Sequence, residues 1–281
     1  MSLIKRFLPK DTNDLPAFVF MNGAFCSITL YEIFHVLPTV DDKSKFGMAF
    51  HLLVGLYFFA NIYGNFIKLI LTDSSTRGMM LPTTLQENWR FCHTCECNSP
   101  PRSWHCNICN TCVMRRDHHC TFAGVCVGHR NYRYFLMMLL HLSVCGAYIN
   151  IINAEFAYDI LGGFNLGSAL AMIMPWAAWL LGIHGPFTFV VAFMSSLTLF
   201  GSLLAIGYFI YQINLVSQGR TSFEIQRGTG REYDVGRFAN LKQIFGKNWK
   251  LVWLFPWVPS EMYTDGTSFP TKFTYEEVKD L

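Results

Sequence analysis

The chain has 281 residues, enough for one large or two small soluble domains, but its composition argues against both. Hydrophobic residues make up 52%, aromatic residues 16% and charged residues only 15%, where soluble domains carry about 25% charge; this is the pattern of a polytopic membrane protein. A net charge of +3 is too small to suggest nucleic-acid binding.

Residues 1–15 are a short polar tail with Lys5, Arg6 and Lys10, read as cytosolic. Residues 16–72 hold two apolar runs. The first, Pro16 to Leu37, is long enough to span and is interrupted by Pro16 and Asn22, so it reads as an anchor and not as a cleaved leader. Its Glu32 and His35 are expected near the far interface, where charge costs little. Asp41 to Lys45 is a tight polar turn. Phe46 to Leu71 is the second span, with Lys68 placed to snorkel to the cytosolic interface.

Residues 73–131 carry the chemistry. Eight of the ten cysteines lie between Cys92 and Cys126, interleaved with His93, His105, His118 and His119. Thiolate and imidazole are the ligands zinc prefers, and C-x-x-C spacing lets two sulfurs reach one ion from a tight turn. Metal thiolates also need a reducing compartment. Cys92, Cys95, Cys106, Cys109, Cys112 and Cys126 supply six thiolates; His105 and His119 bring the set to two closed tetrahedra. Asp117, His118 and Cys120 are then left side by side. A carboxylate, an imidazole and a thiol are the parts of an activated nucleophile. Counting alone leaves open which histidine is spare, which four ligands share an ion, and whether Cys120 is itself a ligand.

Asp117-His118-His119-Cys120, inside C-x2-C-x9-H-C-x2-C-x2-C-x4-D-H-H-C-x5-C, resembles the DHHC-type protein S-acyltransferases (palmitoyltransferases), over Cys92 to Asn131. The resemblance implies one structural zinc on Cys92, Cys95, His105 and Cys112 and a second on Cys106, Cys109, His119 and Cys126. It implies that Cys120 is the acylated nucleophile, His118 its base, and Asp117 the group that polarises that histidine. The family usually has Pro-Trp after the tetrad, where this chain has Thr121-Phe122, and a basic residue before its proline, where this chain has Ser99. Both changes bear on acyl-chain placement and acyl-CoA affinity. Phe122 and Arg102 are candidate substrate-binding residues. Cys97 matches no family ligand and is expected to be a free thiol; His129-Arg130 either offers positive charge to an acyl-CoA phosphate or, as expected, is an ordinary solvated loop.

Residues 132–216 hold the third span, Tyr132 to Tyr158, and the fourth, Phe187 to Val216. The loop 158–186 contains no Lys or Arg, and its apolar part, Ser168 to Gly182, is too short to cross, so it is read as lumenal and lying in the interface through Trp176 and Trp179. Basic residues flank this hairpin on both sides, from Arg115 to Arg130 and from Arg220 to Arg231, which places both flanks in the cytosol. Residues 217–281 form a cytosolic tail. Thr221-Ser222-Phe223-Glu224 resembles the family's TTxE motif, or is simply a helix capping box. Tyr233 to Gly246 resembles its C-terminal element, with Asn240 matching the family's asparagine. Leu251 to Trp257 either dips into the interface or forms a buried patch. No internal repeat is visible.

The expected fold is an all-α polytopic membrane protein, with four transmembrane helices and a cytosolic two-zinc cysteine-rich domain between the second and third. The resemblance implies transfer of a palmitoyl group from acyl-CoA to protein cysteines through an acyl-Cys120 thioester. Its cofactors would be two structural Zn2+ ions, with acyl-CoA as co-substrate. Its partners would be the bilayer and membrane-associated proteins with cytosolic cysteines, at the Golgi or endoplasmic reticulum. A silent zinc-containing adaptor is disfavoured by the intact tetrad, and a transporter by the scarcity of intramembrane charge.

Overall fold

The computed structural model describes residues 7–40 and 45–274. The apolar runs form helices. α1 is Leu15–Tyr31, continued by a π-type turn Glu32–Val36 and a last turn Leu37–Val40. α2 is Lys45–Leu71 and α3 is Tyr132–Ile160. Two short helices follow, α4 (Leu166–Ile173) and α5 (Pro175–Leu180), and then α6, Pro186–Ser217. The four long stretches that can cross a membrane run for 25 to 32 residues. At 1.5 Å per residue even the shortest exceeds the bilayer's hydrocarbon core of about 30 Å. Most of the expected turn, Asp41 to Ser44, lies outside the described residues.

The chain divides into two compact units. The second comprises residues 21–60 and 139–209. Here α3 and α6 approach closely at Gly146, where an added Cβ would lie 2.4 Å from that of Ser202. Asn150 Nδ2 donates to the Gly146 carbonyl and to Ser202 Oγ, each at 2.7 Å. A small residue flanked by a polar bridge is how helices associate where apolar burial gives no drive. Glu32 sits in the π-type turn and accepts from Asn153 Nδ2 at 2.6 Å. The loop without Lys or Arg folds as α4, capped by Asn165 and Ser168, and α5, opened by Pro175. Neither is long enough to cross. Trp176 and Trp179 pack on Phe189, with ring centres 4.6 and 5.5 Å away. A largely apolar cavity of about 550 Å³ lies among α1, α2 and α3, between Phe25, Leu56, Phe59 and Ile152.

The first unit comprises residues 1–20, 61–138 and 210–281. Between α2 and α3 the chain makes three antiparallel hairpins. β1 (Arg90–Cys92) pairs with β2 (Cys97–Ser99), β3 (Trp104–Cys106) with β4 (Thr111–Val113), and β5 (His118–Cys120) with β6 (Val125–Val127). The registers Cys92↔Cys97, Cys106↔Thr111 and Cys120↔Val125 show that each hairpin repeats the one before at a 14-residue offset. Each turn passes through a left-handed residue at the equivalent place: Glu96 (φ 50°), Asn110 (φ 47°) and Gly124 (φ 63°). This corrects the expectation that the chain has no internal repeat.

Asn131 locks the hairpins to the helices. Its Nδ2 donates to the carbonyls of Leu69 in α2 and Cys126 in β6, while its Oδ1 accepts from Gly128 N and Ser74 Oγ. Full use of a buried amide in this way fixes one arrangement, because any shift strands a polar group. After α6, the tail adds α7 (Ser222–Gln226) and α8 (Arg237–Phe245).

Candidate active site and metal centres

The repeat explains how the ligands are shared. Cys92 and Cys95 flank the turn of the first hairpin and meet His105 and Cys112, which face each other across the second. Cys106 and Cys109 flank the turn of the second and meet His119 and Cys126, which face each other across the third. Adjacent residues of a strand point to opposite faces, so His105 and Cys106 serve different ions. In each set the ligand atoms lie within 4.8 Å of one another. The His119 Nδ1 contacts are 3.8, 3.3 and 3.6 Å from the sulfurs of Cys106, Cys109 and Cys126. A tetrahedral zinc with its usual bond lengths has ligand–ligand edges of roughly 3.5–3.8 Å. The donor set and its spacing therefore fit zinc at both centres.

The third hairpin is an incomplete copy. Cys120 stands where Cys92 and Cys106 stand in the others, but Ala123 replaces the second cysteine, and α3 begins where a fourth hairpin would supply the remaining ligands. Cys120 is buried at 6% exposure and belongs to neither ligand set. His118 precedes His119, so the alternation that sends His119 to a metal centre puts His118 on the other face, the face of Cys120.

Asp117 is the hub of this face. Its buried carboxylate accepts from His118 Nδ1 at 2.6 Å, Ser222 N at 2.7 Å, Ser222 Oγ at 3.1 Å and Gln212 Nε2 at 3.2 Å. The Tyr132 hydroxyl lies 3.2 Å from Asp117 Oδ1 and 2.5 Å from Gln212 Oε1. Burial opposes the carboxylate, but these donors and the His118 charge outweigh it and hold Asp117 below its ordinary value. Burial also opposes an imidazolium at His118. The hydrogen bonds to Asp117 and Cys120 prevail and raise it to about 9. The Phe135 ring, 5.0 Å away, backs the imidazole edge-on.

The tail motifs complete the site. Thr221 caps α7 in a capping box with Glu224, so that reading is correct. Ser222 also reaches Asp117, and Glu224 grips Arg102 through Nε–Oε1 at 2.6 Å and Nη2–Oε2 at 2.7 Å. Burial opposes the Glu224 carboxylate, and the Arg102 charge overrides it and holds the group low. Asn240, in α8, donates to the Ser217 carbonyl and Asp234, tying the tail to the end of α6.

Three expectations change. Arg102, expected at the surface for a substrate, is buried, with Nε and Nη2 engaged by Glu224 and the Gly219 carbonyl, as a desolvated guanidinium needs a carboxylate. His129 is buried, with Nε2 donating to the Thr264 carbonyl, and is no solvated loop residue. Asp14, read as part of a polar tail, is 2% exposed and accepts from His119 Nε2 at 2.9 Å. Phe122 is 47% exposed, two residues past Cys120. The Leu251–Trp257 stretch is mixed: Val252 and Pro256 are buried, and Trp257, though largely exposed, reaches Gly64 of α2.

The sequence profile of the DHHC palmitoyltransferase family matches residues 85–229. "Probable palmitoyltransferase ZDHHC24" of Danio rerio is 36% identical over 240 residues, covering 85% of this chain and 81% of that protein. The Homo sapiens protein of the same name is 34% identical over 85% and 86% of the two chains. "Palmitoyltransferase ZDHHC20" of Homo sapiens is 29% identical over 68% of this chain and 48% of its own length. With two Cys/His centres, four potential spans and the tetrad between the second and third, the chain belongs to the DHHC palmitoyltransferase family.

Proposed function

We propose that the chain transfers a long-chain acyl group, palmitoyl in the first instance, from acyl-CoA to cysteines of membrane-associated proteins through an acyl-Cys120 intermediate. The observation that carries this reading is the Cys120 thiol, unclaimed by either ligand set and hydrogen-bonded to a histidine that Asp117 holds.

His118, raised to about 9, takes and holds the thiol proton, so that Cys120 Sγ attacks the thioester carbonyl as the thiolate of an imidazolium–thiolate pair. Asp117, bonded at Nδ1, fixes the tautomer that leaves the other ring nitrogen to accept that proton, and it stabilises the imidazolium that results. The new C–S bond forms to Cys120 as the bond to the coenzyme A sulfur breaks, and the leaving thiolate recovers the proton from His118. In the second step a substrate thiol gives its proton to His118 and attacks the acyl-Cys120 carbonyl, freeing Cys120. One thioester replaces another at each step, so no ATP or redox partner is needed. Zinc, when bound, supplies folding energy to a stretch too short to build a core of its own. Cys92, Cys95, His105 and Cys112 would hold one ion, and Cys106, Cys109, His119 and Cys126 the other. Phe122 offers apolar surface beside the nucleophile, and each methylene taken from water contributes about 0.8 kcal/mol.

The basic residues on both flanks of the hairpin, and their absence from 158–186, support a cytosolic cysteine-rich domain, a cytosolic tail and a lumenal loop; a Golgi or endoplasmic-reticulum membrane is part of the proposal. The test is incubation of purified protein with palmitoyl-CoA and mass spectrometry of the Cys120 peptide. Wild type should gain a palmitoyl mass that hydroxylamine removes, and Cys120→Ser should gain none. A wild type that takes up no acyl group between about C14 and C18 is a silent adaptor instead.

A further inference from the structure

Among the described residues Arg115 heads the fully buried side chains by size, with no exposure at all. None of its Nε, Nη1 and Nη2 atoms has a hydrogen-bond partner among the described residues. The neighbouring Arg102 adds a second buried guanidinium, whose Nη1 is likewise unpartnered. The nearby carboxylates are already used. Glu224 is engaged by Arg102 Nε and Nη2 and by Thr221 N, and Asp117 by His118, Gln212 and Ser222. Buried charges are paired in proteins because leaving one unpaired is costly. Two guanidinium groups with four free nitrogens, against one Glu224 carboxylate already paired with Arg102, leave a positive charge and a set of N–H donors unmatched.

Aromatic side chains bury both guanidiniums. Phe269 from the tail lies against both arginines, with Cζ of Arg102 5.1 Å and Cζ of Arg115 5.9 Å from its ring centre. Tyr233 covers Arg102 at 4.3 Å, and the His129 ring lies edge-on to Phe269 at 5.4 Å. Gly266 closes the same wall, since a Cβ there would meet His129 and Met114 at 2.7 and 3.0 Å. Burial and the Arg102 charge together push Arg115 down to about 9, which still leaves it charged at neutral pH.

We propose that Arg115 and Arg102 Nη1 bind a small inorganic monoanion of halide size, enclosed beneath Phe269. Burial of these four unpartnered nitrogens selects against a nucleotide diphosphate and for a compact anion. The ion would neutralise the charge two residues from Asp117 without competing for its donors.

The test is thermal denaturation of the purified full chain at fixed ionic strength, in sodium chloride, bromide, phosphate or gluconate, with and without coenzyme A. Chloride and bromide should raise Tm saturably, by about 2–4 °C over gluconate, with phosphate giving no gain. Arg115→Gln should abolish that response, and Arg115→Lys should weaken it. Equal Tm in chloride and gluconate overturns the proposal, as does an unchanged response in Arg115→Gln. Stabilisation by coenzyme A that chloride competes away assigns the arginines to the diphosphate and also overturns it. If Arg115→Gln does not fold, the wild-type arms decide alone. The readout is stability, so it is independent of whether Cys120 is acylated.

Discussion

Asp14 and His119 are 105 positions apart in sequence and hydrogen-bonded at 2.9 Å, both nearly free of solvent. His119 faces the second metal centre through Nδ1 and Asp14 through Nε2, so the carboxylate fixes both the tautomer and the ring plane of a ligand. Partners of this kind typically contribute 10–100-fold to metal affinity. Asp14→Asn, which keeps the volume but loses the charge, should speed zinc release from the second centre by about that factor and leave the first unchanged. Timed release to a chromogenic chelator measures both; equal release from the two centres, or no change, removes Asp14 from this role.

Glu224 is paired with the buried Arg102, and its loss should be felt in stability. Glu224→Gln leaves Arg102 buried without its carboxylate, at an expected cost of about 3–5 kcal/mol by chemical denaturation. The group's folded pKa lies below its ordinary value. Its contribution is therefore complete above about pH 4.3, the value in an unfolded chain, and is lost only as pH falls through the lower folded value. The gap between wild type and variant should stay constant from pH 7 to about 5. A gap that closes within that window shows that the pair is not what the mutation removed.

How much of this was legible in the sequence follows from the range of each signal. Helical spans announce themselves by continuous apolar runs, and all four fall within a few residues of the expected bounds. The ligand sets are carried by cysteine and histidine, which are rare enough to count, and the structure groups the same eight residues. The 14-residue repeat was equally present, but the third copy keeps only Cys120 of its knuckle and hides the period. Strand alternation, applied to His118-His119, was the local signal that separates the metal-facing histidine from the other. Asp14, Tyr132 and Gln212 carried no signal. Each is a single polar residue in or beside a span, and its meaning comes only from a partner such as Asp117, brought from 15 to 105 positions away. Arg102 carried no signal of its buried partner, because a basic residue in a motif does not announce a carboxylate 122 positions away.

Membrane topology gives a further prediction. Loop 158–186 lacks Lys and Arg, and its two short helices cannot cross. A glycosylation acceptor inserted near Asn165 should be modified in cells, and one inserted after Thr264 should not. Modification at the second site, or at both, defeats an arrangement in which the cysteine-rich domain and tail share the cytosol.

The adjacent histidines should separate cleanly on mutation. His119→Ala removes a ligand from a four-ligand site, so the second centre should lose its ion and the fold should loosen, because binding free energy of structural zinc is folding free energy. His118→Ala removes a group that touches Asp117 and Cys120 but neither ligand set. It should retain two zinc ions per chain and slow Cys120 acylation by something like the 10²–10⁴ expected of a positioned base. Cys120→Ser should retain both ions and lose acylation; Cys97→Ala should retain both ions and the activity, since Cys97 lies in no ligand set. Metal content and acylation rate are to be read on the same preparations. Loss of zinc from Cys120→Ser, or matching phenotypes for His118→Ala and His119→Ala, would mean that the third hairpin is a working metal knuckle and that the nucleophile lies elsewhere.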